Sequence, residues 1–248
     1  MTSSAGRLAI IPARGGSKRI HRKNLAILNG QPLIWYTIDV ALRSGLFTRI
    51  IVSTEDSEIA AVSLHAGAEV FDRDESLAGD HSTSNSVILK VLGQVQAPDD
   101  WRLFLLEPTS PLRTCEDLTA ALALFESHPD ALSLVSYSDY EFPAAMALKM
   151  EGDFLTPIFP EHYVAAISTV EGVPRWVRPN GAIYLSRCGD FTRYETFYTS
   201  RTIAFEMPED RSLDIDTPRD LRYANWMLAN DPPPGWRVPL IGQTPQEQ

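Results

Sequence analysis

Ile10-Ile-Pro-Ala-Arg-Gly-Gly-Ser-Lys-Arg-Ile-His-Arg-Lys-Asn24 is the stretch that decides how this chain is read. An apolar strand empties there into a glycine turn loaded with positive charge. Arg14, Lys18, Arg19, Arg22 and Lys23, five of 22 Lys and Arg residues, fall within ten positions, far more than an even spread over 248 residues would give. The concentration is local, because the whole chain carries a formal charge of -10. In parallel sheets ligands settle beyond the carboxyl ends of strands, which is where this loop lies. Gly15 and Gly16 let the backbone turn N–H groups toward an anion, Ser17 adds a hydroxyl, and Arg14, Lys18 and Lys23 supply charge for a polyphosphate. The spacing is neither G-x-x-x-x-G-K-[ST] nor G-x-G-x-x-G, so neither a P-loop nor a dinucleotide fingerprint is present. The plainer alternative is a solvated basic loop.

Outward from this loop, apolar runs alternate with helical patterns through the first 135 residues, the signature of βαβ units and a mostly parallel sheet. Strands are expected at Leu8 to Ala13, Arg49 to Thr54, Arg102 to Glu107 and Ala131 to Tyr137. Helices are expected near Pro32 to Ser44, Ser57 to Ala66, Ser84 to Val95 and Cys115 to Ser127. Gly45 and Gly67 mark helix ends, and Thr114 with Asp117 a capping pair. From about 137 to 180 prolines interrupt the alternation, which predicts an arm serving as lid or dimerisation element. Strands at Ala182 to Ser186, Thr202 to Glu206 and Ser212 to Ile215 and a helix from Pro218 to about Ala229 complete one main domain over 1–230. The proline-rich segment 231–248 is expected to be disordered or loosely attached.

The composition sets limits. With 44% hydrophobic residues the chain can bury one substantial core. Its acidic balance argues against a nucleic-acid or membrane-surface binder and for small anionic ligands. No run approaches the roughly 18 apolar residues of a membrane span, and the first residues lack the order of a secretory signal, so a cytoplasmic location is expected. Cys115 and Cys188 form no C-x-x-C and are expected as buried free thiols, and the five histidines show no ligand spacing.

Asp214-Ile-Asp216 puts two carboxylates at i and i+2, on one face of an extended segment with Ile215 on the other. Both suit Mg²⁺, a hard cation that bridges carboxylates to substrate phosphates. Capping competes: Asp216 or Thr217 can cap the helix opened by Pro218, which leaves Asp214 unexplained. Glu107-Pro-Thr-Ser-Pro-Leu-Arg113 leaves a strand end either as a ligand-facing loop offering Thr109, Ser110 and Arg113 or as a proline turn. Asn180-Gly181 reads as a hairpin turn. Arg178 can pair with a substrate carboxylate or form a surface ion pair. Asp80-His-Ser-Thr-Ser84 either contacts a ribose or caps a helix, and Phe197-Tyr198 reads as packing.

Together these residues resemble the acylneuraminate cytidylyltransferases, the CMP-sialic (nonulosonic) acid synthetases. The markers stand in family order to about residue 229: Ile11-Pro-Ala-Arg-Gly-Gly-Ser-Lys18 with Lys23-Asn24, Ile51-Val-Ser-Thr-Glu-Asp56, Pro108-Thr-Ser-Pro-Leu-Arg113, Arg178-Pro-Asn-Gly-Ala-Ile-Tyr184 and Asp214-Ile-Asp-Thr217. The resemblance implies a three-layer α/β/α, Rossmann-like nucleotide-diphospho-sugar transferase fold, a homodimer with a protruding arm, and Mg²⁺ (or Mn²⁺)-dependent use of CTP. It implies that Arg14, Gly15, Gly16, Ser17, Lys18 and Lys23 hold the triphosphate, with Arg14 and Lys18 catalytic. Asn24, Arg73, Ser82, Thr83 and Ser84 would hold ribose and cytosine. Asp214 and Asp216 would bind metal. Glu107, Thr109, Ser110, Arg178, Asn180, Phe197 and Tyr198 would face an acidic nine-carbon sugar, Arg178 taking its carboxylate. The chain departs from the family at Glu107, usually Gln, and at Pro143-Ala-Ala145, where sialic-acid users often carry Lys. Both departures fall on the sugar side. Rival readings are a cytidylyltransferase for a Kdo-like eight-carbon acid, a glycosyltransferase with an Asp-x-Asp metal site, and a non-catalytic CTP-binding paralogue.

Overall fold

The computed structural model describes residues 5–73, 84–168 and 173–238. Chain order is β1 (Arg7–Pro12), β2 (Ile27–Leu28), β3 (Gln31–Pro32), α1 (Leu33–Arg43), β4 (Arg49–Thr54), α2 (Ser57–His65), β5 (Glu69–Asp72), α3 (Ser84–Val95), β6 (Arg102–Leu105), α4 (Cys115–Glu126) and β7 (Ser133–Asp139). There follow β8 (Leu148–Glu151), β9 (Phe154–Pro157), α5 (Pro160–Ser168), β10 (Val177–Arg187), α6 (Cys188–Tyr194), β11 (Thr202–Glu206) and α7 (Pro218–Asn230). Seven strands form one sheet in the order β11-β7-β10-β6-β1-β4-β5. All neighbours run parallel except β10, which is antiparallel to both β6 and β7.

The pleat of β1 explains the layers. Ala9 and Ile11 face one side, where Ile34 and Ile38 of α1, Ile59 of α2 and Leu118 and Phe125 of α4 cover them. Leu8 and Ile10 face the other, under Ile88 and Val91 of α3 and Phe191 of α6. A sheet buried on both faces needs near-continuous apolar strands, and Leu8 to Ile11 are all fully buried. The fold is the three-layer α/β/α arrangement expected.

Helix ends follow local chemistry. Thr114 and Asp117 form a reciprocal capping box on α4, and Thr217 with Asp220 forms one on α7, so Asp216 is not the cap. Gly45 and Gly67 have positive φ just past α1 and α2. Elsewhere the sequence reading needs correction. Ser212 to Ile215 pairs with no strand of the sheet. Asn180-Gly181 is no hairpin turn but lies inside continuous β10, where the register against β7 shifts between Pro179 and Tyr184. Between β7 and β10, where an arm was expected, the described residues form a 3-10 turn at Ala144–Met146, the β8–β9 hairpin and α5. After α7, Trp236 stacks on Tyr36 at 6.0 Å, against a third apolar cluster containing Leu33, Ile215 and Met227. Cys188 is buried, which pushes its thiol up to about 12, whereas Cys115 is only half-buried.

Candidate active site

The carboxyl ends of β1, β4 and β6 lie side by side in the sheet, and the loops leaving them carry the chemistry. After β1 the basic loop folds onto the turn between β4 and α2. Gly15 N–H donates to Glu55 Oε1 at 2.7 Å, and Ser17 N–H donates to the Gly15 carbonyl at 3.0 Å. The Gly15 amide, expected to face an anion, is thus engaged by the protein, as is the amide of Ser17. Asn24 is buried and donates its side-chain amide to the Arg14 carbonyl at 2.9 Å, which ties the loop's end to its start.

The loop's charges are organised by carboxylates from distant segments. Arg22 adopts a left-handed backbone, φ 49°, and reaches both oxygens of Asp56 at 2.7 and 2.8 Å and also Glu58. Asp56 also accepts from Glu58 N–H and Ile59 N–H as the cap of α2. Burial works against the Asp56 carboxylate, but the Ile59 amide, Arg22 and the Glu58 amide outweigh it and hold it below the usual range. Arg19 and Lys23 both reach Asp216, at 2.6 and 2.9 Å. The Lys23 hydrogen bond is the main cause that keeps Asp216 ionised below the ordinary carboxylate range. Lys18 and Gly16 are exposed, while Arg14 and Ser17 are half-buried.

Asp214 behaves differently from its neighbour. Ile215 is fully buried and its N–H donates to the Thr109 carbonyl at 2.8 Å, so the alternation around it survives without a sheet. Asp214 Oδ1 is buried without a hydrogen-bond partner. Burial raises its pKa, the Thr109 hydroxyl opposes, and Asp216 adds to the rise. An orphaned carboxylate oxygen beside an ionised Asp216 is what a divalent cation would satisfy. Among the described residues no three His, Cys, Asp or Glu cluster as a complete metal cage. Two carboxylates completed by phosphate and water suit Mg²⁺, so the residues present fit that ion.

Glu107 stands at the end of β6. Ser84 Oγ, at the first turn of α3, donates to Glu107 Oε1 at 3.2 Å, and Arg113 and Thr37 donate to its carbonyl. Burial pushes the Glu107 carboxyl up to about 7; Ser84 opposes the shift and Asp214 adds to it. Arg113 is itself buried, which lowers its guanidinium to about 9, so it braces this strand end rather than facing outward. Arg73 is buried within electrostatic reach of Glu55, Arg14 and Glu107. Ser82 and Thr83 lie outside the described residues.

The remaining sugar-side candidates separate. Thr109 reaches Asp214, as above, but Ser110 is fully buried and donates to the Asn180 carbonyl at 3.1 Å. Asn180 accepts from Ser136 Oγ and Ala182 N–H and donates to Ser212, so its amide is consumed by the bulge. Phe197 packs as core between Phe191 and Tyr184, at 4.7 and 5.4 Å, while Tyr198 is 58% exposed. Arg178 is half-buried within electrostatic reach of Asp214 and lines an open cavity of about 960 Å³ with Glu141, Ser212, Arg219 and Trp226. No residue of the basic loop lines that cavity. Sequence reasoning passed over Glu55 and Asp56 as functional residues, although their place directly after β4, beside β1, was the available signal.

The profile of the cytidylyltransferase family matches residues 8–145. The N-acylneuraminate cytidylyltransferase of Streptococcus agalactiae serotype III (strain NEM316) is 34% identical over 220 residues, 86% of this chain and 51% of that protein. The pseudaminic acid cytidylyltransferase of Campylobacter jejuni subsp. jejuni serotype O:2 is 31% identical, covering 88% of this chain and 94% of that one. The CMP-N,N'-diacetyllegionaminic acid synthase of Legionella pneumophila is 32% identical, covering 86% and 92%. The chain therefore spans about half the length of the streptococcal relative and nearly all of the other two. Among solved structures, a CMP:2-keto-3-deoxy-manno-octonic acid synthetase complexed with CTP superposes with TM-score 0.67 at 18% identity, over 91% of this chain and 99% of that one. A 4-diphosphocytidyl-2C-methyl-D-erythritol synthase gives 0.67 at 13%, over 92% and 100%. At those identities the likeness speaks for the fold alone. Fold, profile and relatives agree: the chain belongs to the cytidylyltransferase family, among the CMP-nonulosonic acid synthetases.

Proposed function

We propose that this chain transfers CMP from CTP to the anomeric hydroxyl of a nonulosonic acid and releases pyrophosphate. The observation that carries the reading is the meeting of the basic loop with Asp216, next to the orphaned Asp214 oxygen, at the carboxyl end of the parallel sheet. The sugar oxygen forms a bond to the α-phosphorus, the bond from that phosphorus to the bridging oxygen of pyrophosphate breaks, and the hydroxyl proton passes to water. Arg14 and Lys18 neutralise charge developing on the phosphates, Lys23 and Asn24 fix the loop, and Arg73 and Ser84 border the nucleoside side. Asp214 and Asp216 would hold Mg²⁺ (or Mn²⁺), which when bound supplies positive charge to the phosphates. Glu107, Thr109 and Arg178 face the acidic sugar, Arg178 toward its carboxylate.

A homodimer and a cytoplasmic location belong to the same reading. Met150, Phe154 and Val164 of β8, β9 and α5 are 73, 78 and 70% exposed, a cost that a second copy would relieve. CTP is a cytoplasmic metabolite; among the described residues no helix is long and apolar enough to cross a membrane.

The test is pyrophosphate release from CTP and Mg²⁺ with N-acetylneuraminic, legionaminic and pseudaminic acids and an eight-carbon acid. One nine-carbon acid should give product. Asp214→Asn should lower that turnover at least about a hundredfold, the scale of losing one transition-state electrostatic contact. Turnover only with the eight-carbon acid, or CTP binding with no turnover at all, would sink the proposal.

A further inference from the structure

The turn that follows β4 holds the basic loop from behind, and what it does there extends the proposed activity while resting on it. Glu55 Oε1 accepts the Gly15 N–H at 2.7 Å. A Cβ on Gly15 would stand 2.6 Å from Asp56 Oδ2, so the first turn of the loop is packed onto this corner with no space for a side chain. The other Glu55 oxygen, Oε2, is buried and lacks a hydrogen-bond partner. Burying a carboxylate oxygen in that way costs free energy, and something near it must offset the cost. The compensation is electrostatic: Glu55 attracts buried Arg73, while Arg14 and Arg73 repel one another. Glu55 therefore joins one loop amide to the buried Arg73 guanidinium, which the loop's Arg14 repels.

We propose that Glu55 is the positioning residue of the polyphosphate loop, fixing the Gly15 turn by its hydrogen bond and holding buried Arg73 beside the loop that carries Arg14, a preset group for the nucleotide. Glu55 touches no phosphate in this role. It acts through Gly15 and Arg73, so its loss frees the loop and leaves the repulsion between Arg73 and Arg14 uncompensated.

Calorimetric titration of CTP with Mg²⁺, without any sugar, tests this on the wild type, Glu55→Ala and Glu55→Gln. Glu55→Ala should weaken CTP binding about tenfold, the scale of one charge-assisted hydrogen bond. Glu55→Gln, which keeps an oxygen for the Gly15 N–H, should recover the larger part of that loss. In turnover assays Glu55→Ala should raise KM for CTP and leave KM for the acidic sugar unchanged, a split that general loosening of the fold would not produce. Should Glu55→Ala fail to fold, Gly15→Ala carries the test, because its methyl displaces the loop from the same corner and should weaken CTP by a similar factor. An unchanged CTP affinity in Glu55→Ala overturns the inference, and a tighter one does so too, by showing that Glu55 competes with phosphate for the loop. Wild-type protein that binds no CTP overturns the functional reading, and this inference with it.

Discussion

Glu107 is the residue whose environment departs furthest from its chemistry. A carboxyl ordinarily ionised well below neutrality is held at about 7, first by burial and then by Asp214. The sign of the consequence follows from linkage. Between its ordinary pKa and about 7 the folded chain keeps a proton that the unfolded chain has released, so stability falls as pH rises through that window. The ceiling is about 3 kcal/mol, and solvent contact at a half-buried group makes the measured figure smaller. Glu107→Gln should therefore stabilise the protein at pH 8 and much less at pH 5; urea unfolding at both pH values without added metal checks this. Equal effects at the two pH values would reject the buried-carboxyl picture. At this scale the sequence was informative where one residue type has few uses. Asp214 had no capping role to absorb it, and Thr217 proved to be the cap. Glu55 offered no local motif, only its place after β4, because its partner Gly15 lies 40 residues away and the pairing of β1 with β4 brings them together.

Among elements, two Asn-Gly pairs teach opposite lessons. Asn29-Gly30 joins β2 to β3 with φ of 44° and 85°, a two-residue hairpin in the primed sense. Asn180-Gly181 carries the same signal, yet its amide is drawn in by Ser136, Ser212 and Ala182 and the chain runs on through β10 as a bulge. Local turn preference is a weak vote against a buried strand with partners on both sides. Gly181 has φ 74°, and a Cβ there would meet Ser110 Oγ at 3.2 Å. Gly181→Ala should cost about 1–2 kcal/mol in denaturant unfolding, the range for a side chain forced into left-handed backbone. A loss within error would show that the bulge can relax. The long periodic helix α4 was readable because its apolar spacing and its capping box agreed. β5 was missed because Glu69-Val-Phe-Asp72 is a short, partly exposed edge with no apolar run. The β8–β9 hairpin was missed because its large residues point to solvent, which no core pattern anticipates.

For the whole molecule, that exposed apolar surface and the charge distribution set two expectations. If a second copy covers β8, β9 and α5, a double substitution of Met150 and Phe154 by Glu should convert a dimer into a monomer in sedimentation equilibrium while CTP binding persists. A wild-type protein that sediments as a monomer would reject the dimer. The charge expectation begins with the net -10, whose long-range field opposes any polyanion. Close in, Arg19, Arg22 and Lys23 are each already matched to Asp216, Asp56 or Glu58. The chain thus carries its own counterions, built into its sequence rather than borrowed from solution. A nucleotide bound as proposed would meet cations already neutralised by tethered carboxylates rather than by salt ions, so little mixing entropy would be released there. The affinity for CTP should accordingly fall less steeply with added salt than a loop of five cations would suggest, which titrations across a range of ionic strengths will measure.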